Sequence, residues 1–216
     1  MNMAETLRND VEQELRWDPS VCAEKIGVSV NDGVVELDGH VGSLFQKWAA
    51  ERAALRVVNV TSVASEIIVD LPLDDTRTDA DIAYAATSHL TWNTQVPDSI
   101  KVKVSEAWVT LTGTAEWNFQ KDEAERIVRS LSGVTAVVNE IELKPKANAL
   151  GVKIKIEDAL KRDAQIDASN ITVETSGAAV TLRGRVHSWR ERNDAEHAAF
   201  GAPGVASVAN LLTVTF

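Results

Sequence analysis

A chain of 216 residues with a formal charge of −10 and one cysteine excludes several readings at once. The acidic balance works against nucleic acid as a partner, because phosphate neutralisation supplies most non-specific affinity. Cys22 alone gives no intrachain disulfide framework and reads as a small buried hydrophobe. No run approaches the roughly 18 apolar residues of a spanning helix, and residues 1–10 lack a leader's apolar stretch. The expected location is therefore cytoplasmic, or periplasmic if a leader has been removed.

In chain order, Leu7, Val11 and Leu15 are spaced i, i+4, i+8 and predict an amphipathic helix. Ile26, Val28 and Val30 alternate as a strand, Asp32-Gly33 is a hairpin signal, and Val34-Val35-Glu36-Leu37-Asp38-Gly39 forms the return strand. Ser43-Leu44-Phe45-Gln46 has the form of a capping box. It opens a helix whose inner face is Ala50, Ala53, Ala54 and Val57, and residues 60–69 alternate again as a third strand.

After a linker at 72–77 the series restarts with Ile82, Ala86 and Leu90, then Ile100, Val102 and Val104. The weaker turn Glu106-Ala107, the strand Trp108-Val109-Thr110-Leu111-Thr112-Gly113, an inner helix face of Ala124, Ile127, Val128 and Leu131, and a strand at 134–143 follow. A second linker, 145–148, leads to Val152, Ile156 and Leu160, then Ile171, Val173 and Thr175. The turn Ser176-Gly177, the strand Ala179-Val180-Thr181-Leu182-Arg183-Gly184, the capping box Ser188-Trp189-Arg190-Glu191, the face Ala195, Ala198, Ala199, Ala202 and a strand at 205–214 complete the third pass.

The chain thus states one module three times, over residues 4–71, 78–145 and 149–216. Each copy reads αββαβ, and the fold class is α+β: a small three-stranded mixed sheet with two helices on one face, the third strand parallel to the second through a right-handed crossover. A domain of about 60 residues buries only about 60% of its unfolded surface, so packing between repeats is expected. Asn59 stands where the other copies have Gly133 and Gly204, and reads as a conservative turn replacement because Asn tolerates a left-handed backbone.

The order of elements, the hydrophobic-x-Gly ending of the second strand and the Gly-Val opening of the third resemble the BON domain. The best-matching run is 28–39, followed by Gly204-Val205-Ala206-Ser207-Val208-Ala209-Asn210. The resemblance covers essentially the whole chain. It implies a non-enzymatic protein that attaches to phospholipid or cell-envelope surfaces, often in osmotic stress, with phospholipid headgroups or protein partners as ligands. The alternative is an intracellular stress or ion-response protein that recognises a small ligand, a cation or a protein.

Because the copies share a core, their outward positions carry the differences. Residues 4–71 hold six basic against twelve acidic side chains, 78–145 six against ten, and 149–216 eight of each, so an anionic surface should prefer the third copy. In the first copy's second helix, Leu44, Trp48 and Leu55, with Phe45 at the edge, fall opposite the alanine face. Another repeat, a membrane or partner, or a second copy could cover that stripe.

In the third copy Trp189 opens the equivalent helix among Arg183, Arg185, Arg190, Arg192 and His187, an arrangement suited to a phosphate headgroup. The competing reading pairs these arginines with Glu191, Asp194 and Glu196 on a solvated face. Leu44, Phe45, Trp48, Arg185, Trp189 and Arg190 are the candidate lipid- or partner-contact residues.

Trp117 falls on an inner phase and is expected in the core. Trp108, beside Lys101 and Lys103 on a sheet face, has the look of a base-stacking platform that the net charge disfavours. Trp17 and Trp92 occupy matching places after the first helix, which suggests a shared structural role. His40, His89, His187 and His197 form no metal-ligand spacing, Asp74-Asp75 and Asp79-Asp81 read as solvated carboxylates, and Gly201-Ala202-Pro203-Gly204 is a turn rather than a phosphate loop. No catalytic, metal or cofactor residues are expected.

Overall fold

The computed structural model describes residues 3–144 and 151–215; the linker expected at 145–148 and residues 149, 150 and 216 lie outside it. The described residues form three three-stranded sheets with two helices for each. In the first repeat α1 (Met3–Trp17) leads to β1 (Ile26–Asn31), β2 (Val34–Val41), α2 (Leu44–Leu55) and β3 (Ser62–Val69). The second holds α3 (Asp79–Trp92), β4 (Lys101–Ser105), β5 (Trp108–Ala115), α4 (Asn118–Arg129) and β6 (Ala136–Leu143). The third holds α5 (Val152–Arg162), β7 (Ile171–Ser176), β8 (Ala179–Val186), α6 (Trp189–Phe200) and β9 (Ser207–Val214). By compactness the chain divides into a unit comprising residues 1–94, 101–111 and 124–139, and another comprising 95–100, 112–123 and 140–216.

In each sheet the second strand is central. β1 runs antiparallel and β3 parallel to β2, and β7 and β9 repeat that pattern around β8, as the crossover helix requires. The buried stripes are those of the sequence: Leu7, Val11, Leu15; Ile82, Ala86, Leu90; and Val152, Ile156, Leu160. They meet Val35, Leu37 and Val41 in the first repeat and Val180, Leu182 and Val186 in the third. Ala50, Ala53 and Ala54, and Ala195 and Ala199, are fully buried, because a methyl group is all that fits between a helix and a sheet this close.

Each central strand continues two residues past the glycine expected to end it, and that glycine is required twice over. Gly39, Gly113 and Gly184 have φ of 121°, 122° and 134°. A Cβ there would lie 2.1 Å from the Lys25 carbonyl oxygen, 2.3 Å from that of Ser99 and 1.9 Å from that of Asn170. Only glycine accepts both that dihedral and that approach.

The hairpin turns differ. Asp32-Gly33 has both φ values positive, as a type I′ turn demands. Glu106 and Ala107 adopt the same conformation, φ 53° and 62°, without a glycine. The Asp79 carboxylate compensates, accepting the backbone N–H of each at 2.9 Å. In the third repeat the turn falls on Gly177 and Ala178, one residue later than expected, and only Gly177 has positive φ. Asn59 does hold a left-handed backbone, φ 71°, like Gly133 and Gly204. The third strands begin at 62, 136 and 207, two residues after the expected starts. Val60, Val134 and Val205 are buried in the turns before them, and each donates its N–H to a carbonyl three residues back.

Candidate functional site

The second helix of each repeat is seated by one recurring device. Gln46, Gln120 and Glu191 occupy the same place in the first turn, and each side chain accepts the N–H four residues earlier, from Gly42 at 3.0 Å, Glu116 at 3.0 Å and His187 at 2.6 Å. Ser43 and Ser188 cap the helices by accepting from Gln46 N and Glu191 N at 3.3 and 3.0 Å, which is half of the expected capping box; the Gln46 and Glu191 side chains accept from the residue before the cap instead of from the cap itself. Glu191 is buried, and its second oxygen accepts the Asp167 N–H at 2.8 Å. One residue further on, a cation reaches across to the edge strand. Lys47 Nζ donates to the Ile67 carbonyl at 2.9 Å, Lys121 Nζ to Ile141 at 3.0 Å, and Arg192 donates to Asn210 at 2.7 Å and Leu212 at 3.3 Å.

On this frame the candidate residues fall into separate places. Trp48 is half-buried, with the Arg52 guanidinium 4.3 Å and that of Arg129 5.7 Å from its ring centroid, and with Phe45 6.3 Å away at 50°. Arg129 in turn pairs with Glu125. Leu44 is half-buried and Phe45 exposed. Leu55 does not extend the outer stripe: it is the last residue of α2, where the chain folds back, and it packs on the first core.

Trp189 is half-buried with Arg192 over its ring at 5.4 Å, Arg190 is exposed and pairs with Asp194 at 3.6 Å, and Arg183 pairs with Glu174 at 3.5 Å. Arg185 stands on the exposed side of β8, while Val186 next to it points to the helices. The arginines are therefore divided between the two sides of the sheet and do not gather around Trp189. Glu191 and Glu196 are held by backbone N–H groups and by Asn210 rather than by arginine.

Three sequence readings need correction. Cys22 is exposed, because it caps the 3₁₀ turn Ala23–Lys25, where its Sγ accepts from Gln46 Nε2 at 4.0 Å. Trp117 is half-buried rather than core, because α4 starts after it and helical phase does not extend to it. Trp17 and Trp92 are 84% and 85% exposed. Their matched position is real, but a side chain open to water contributes no packing, so it does not hold the fold together.

Trp17 borders a groove of about 490 Å³ with Asp10, Gln13, Glu14, Arg56, Val57 and Val58. Arg56 is fixed there by Glu14 at 2.8 Å and Asp18 at 2.9 Å. Hydrogen bonds from Ser20 and then Arg56 lower the Asp18 carboxyl from 3.8 to about 2. Val58, on the rim, is 66% exposed. The signal that could have found this surface was the pair of tryptophans lying off the buried stripe of their helices. Among the described residues no helix is long and apolar enough to cross a membrane, and no three His, Cys, Asp or Glu side chains cluster as a metal site.

Three αββαβ units, with a parallel crossover in the strand register of the first and third and a positive-φ glycine two residues before the end of each central strand, define a tandem repeat of small α+β modules. The chain belongs to the BON domain family, whose pattern matches residues 4–70, 78–145 and 152–215. It is 30% identical over 146 residues to the osmotically-inducible protein Y of Escherichia coli strain K12, covering 64% of this chain and 71% of that one. An uncharacterised protein in the gshII 5′ region of Anaplasma centrale is 35% identical over 102 residues, 44% of this chain and 68% of the relative. Superposition on CdsD, a structural protein of the Type III secretion system of Chlamydia trachomatis, covers 97% of this chain and 92% of that one at 15% identity with a TM-score of 0.27, too low to carry an argument.

Proposed function

We propose that this protein is a non-enzymatic binding protein that attaches to phospholipid surfaces of the cell envelope during osmotic stress. The observation that carries the reading is the exposure of Trp17 and Trp92, 84% and 85%, at the same place in two successive repeats. An indole held in water at a helix end is suited to the headgroup level of a bilayer, where its apolar body and its N–H are both satisfied. Family membership and the name of the Escherichia coli relative support the osmotic setting. Phe45, Arg185 and Arg190, all exposed, and the uncovered edges of Leu44, Trp48 and Trp189 complete the candidate contact set.

Co-sedimentation with phosphatidylcholine vesicles and with vesicles containing phosphatidylglycerol tests this. Binding to at least one composition is expected, with Trp17→Ala/Trp92→Ala weakening it about ten-fold or more. Trp189→Ala/Arg190→Ala should weaken it less, because Trp189 is already half covered and Arg190 already paired. Absence of binding to both compositions at low ionic strength would overturn the proposal.

A further inference from the structure

In each repeat one face of the sheet is packed by helices and the other is open. The open faces of the first and third repeats are exposed and carry opposite charge. No Lys or Arg occurs in β1, β2 or β3, and Glu36, Asp38 and Glu66 all stand exposed on the open side. Asp38 is directly across from Glu66 on the parallel strand and from Gly27 on the antiparallel one. A Cβ on Gly27 would come within 2.0 Å of Asp38 Oδ1, so the carboxylate lies over a gap that only glycine leaves. These residues line a depression of about 260 Å³. Like charges directly opposite on neighbouring strands disfavour the sheet, and no cation within these strands relieves them.

The third repeat inverts the sign at the same lattice point. Asp38 and Arg183 each precede the glycine of the central strand, and Arg183 is followed two residues on by Arg185 on the same open face. The one acidic residue in β7, β8 and β9 is Glu174, spent on Arg183, and Arg185 has no ion pair among the described residues. β4, β5 and β6 balance Lys101 and Lys103 against Glu140 and Glu142. Each charged face also offers an exposed apolar side chain on its third strand, Ile68 at 54% and Leu211 at 50%.

We propose that these two faces bind each other between molecules: the open sheet of the first repeat receives the open sheet of the third repeat of a second copy of this chain. Asp38, Glu36 and Glu66 meet Arg183 and Arg185, while Ile68 and Leu211 bury apolar surface beside them. The contact is heterologous, joining two different surfaces of the chain. Complementary charge of this kind sets partner choice and register, and screening weakens it beyond about 10 Å at 0.1 M salt.

Sedimentation velocity of the full chain at low and high ionic strength tests the proposal. Self-association at low salt that is lost at high salt is expected. Arg183→Glu/Arg185→Glu, which makes both faces acidic, should raise the dissociation constant about ten-fold or more, and so should Asp38→Arg/Glu66→Arg, which makes both basic. An equimolar mixture of the two variants should associate again, because each supplies the face the other lacks. That restoration also separates loss of the contact from loss of the fold. A wild-type chain that stays monomeric at low salt, or a mixture that associates no better than its components, overturns the proposal. Vesicle binding does not enter any of these readings.

Discussion

The first and third repeats build the same strand register around Gly39 and Gly184, yet they place their large aromatic side chain one helical turn apart. In α2 it is Trp48, clasped by Arg52 and by Arg129 from α4. In α6 it is Trp189 at the first position, covered by Arg192 of the same helix. Both indoles lie under guanidinium groups, so a tryptophan that the sequence offers for outside contact is partly used inside the chain. The tryptophans most open to water, Trp17 and Trp92 at the ends of α1 and α3, belong to no periodic stripe. Backbone-limited positions therefore repeat in all three copies, whereas among these aromatics only Trp17 and Trp92 recur, and in two copies.

If that division is right, the largest effect belongs to the shared glycines. Gly39→Ala and Gly184→Ala should each destabilise their repeat by about 3 kcal/mol or more, read from urea unfolding, since strain at positive φ adds to a clash with a backbone carbonyl. A cost below about 1 kcal/mol in either repeat would break the claim of equal constraint.

A smaller and unequal effect should mark the helix seats. Glu191→Ala leaves two backbone donors without their charged acceptor and should cost about 2 kcal/mol; Gln46→Ala removes a neutral acceptor and should cost about 1 kcal/mol. Reversal of that order would show that the buried carboxylate is not what seats α6.

The smallest effect is the acid sensitivity of the Asp18–Arg56 pair in the first repeat. Asp18 titrates at about 2 in the folded chain against 3.8 ordinarily, so its contribution is full above about pH 4 and fades as pH falls through about 2. Arg56 is 42% exposed, and solvent screening holds the contribution to about 1 kcal/mol or less. The third repeat has Asp163 and Gly201 at the matching positions and no such pair. Asp18→Asn should therefore flatten the stability change between about pH 4 and about pH 2, measured by urea midpoints.

Much of this was legible beforehand. Helix stripes such as Val11 and Ile156, the alternation of β2 and β8, and the left-handed turn at Asn59 are consequences of local period and backbone preference. Other features depend on residues far apart in sequence. Asp79 serves a turn 27 residues away, and Glu191 reaches back 24 residues to Asp167. Nothing in local spacing announces either. The cluster expected at Trp189 failed to gather for a related reason: alternation puts Arg185 on the open side of the sheet, and the crossover puts Trp189 on the helical side. Only the three-dimensional arrangement separates neighbours four residues apart.

The cations that reach the third strands, Lys47, Lys121 and Arg192, bear on how such a chain reaches its native state. Three modules of one fold in a single polypeptide hold their edge strands at high effective concentration, and a strand of one sheet could add to another while the polypeptide is still being assembled. An ammonium or guanidinium seated on the edge carbonyls occupies the acceptors such a stray strand would need. The repetition that makes the protein simple to encode also makes it easy to misassemble, and one basic residue per copy guards each sheet against its siblings.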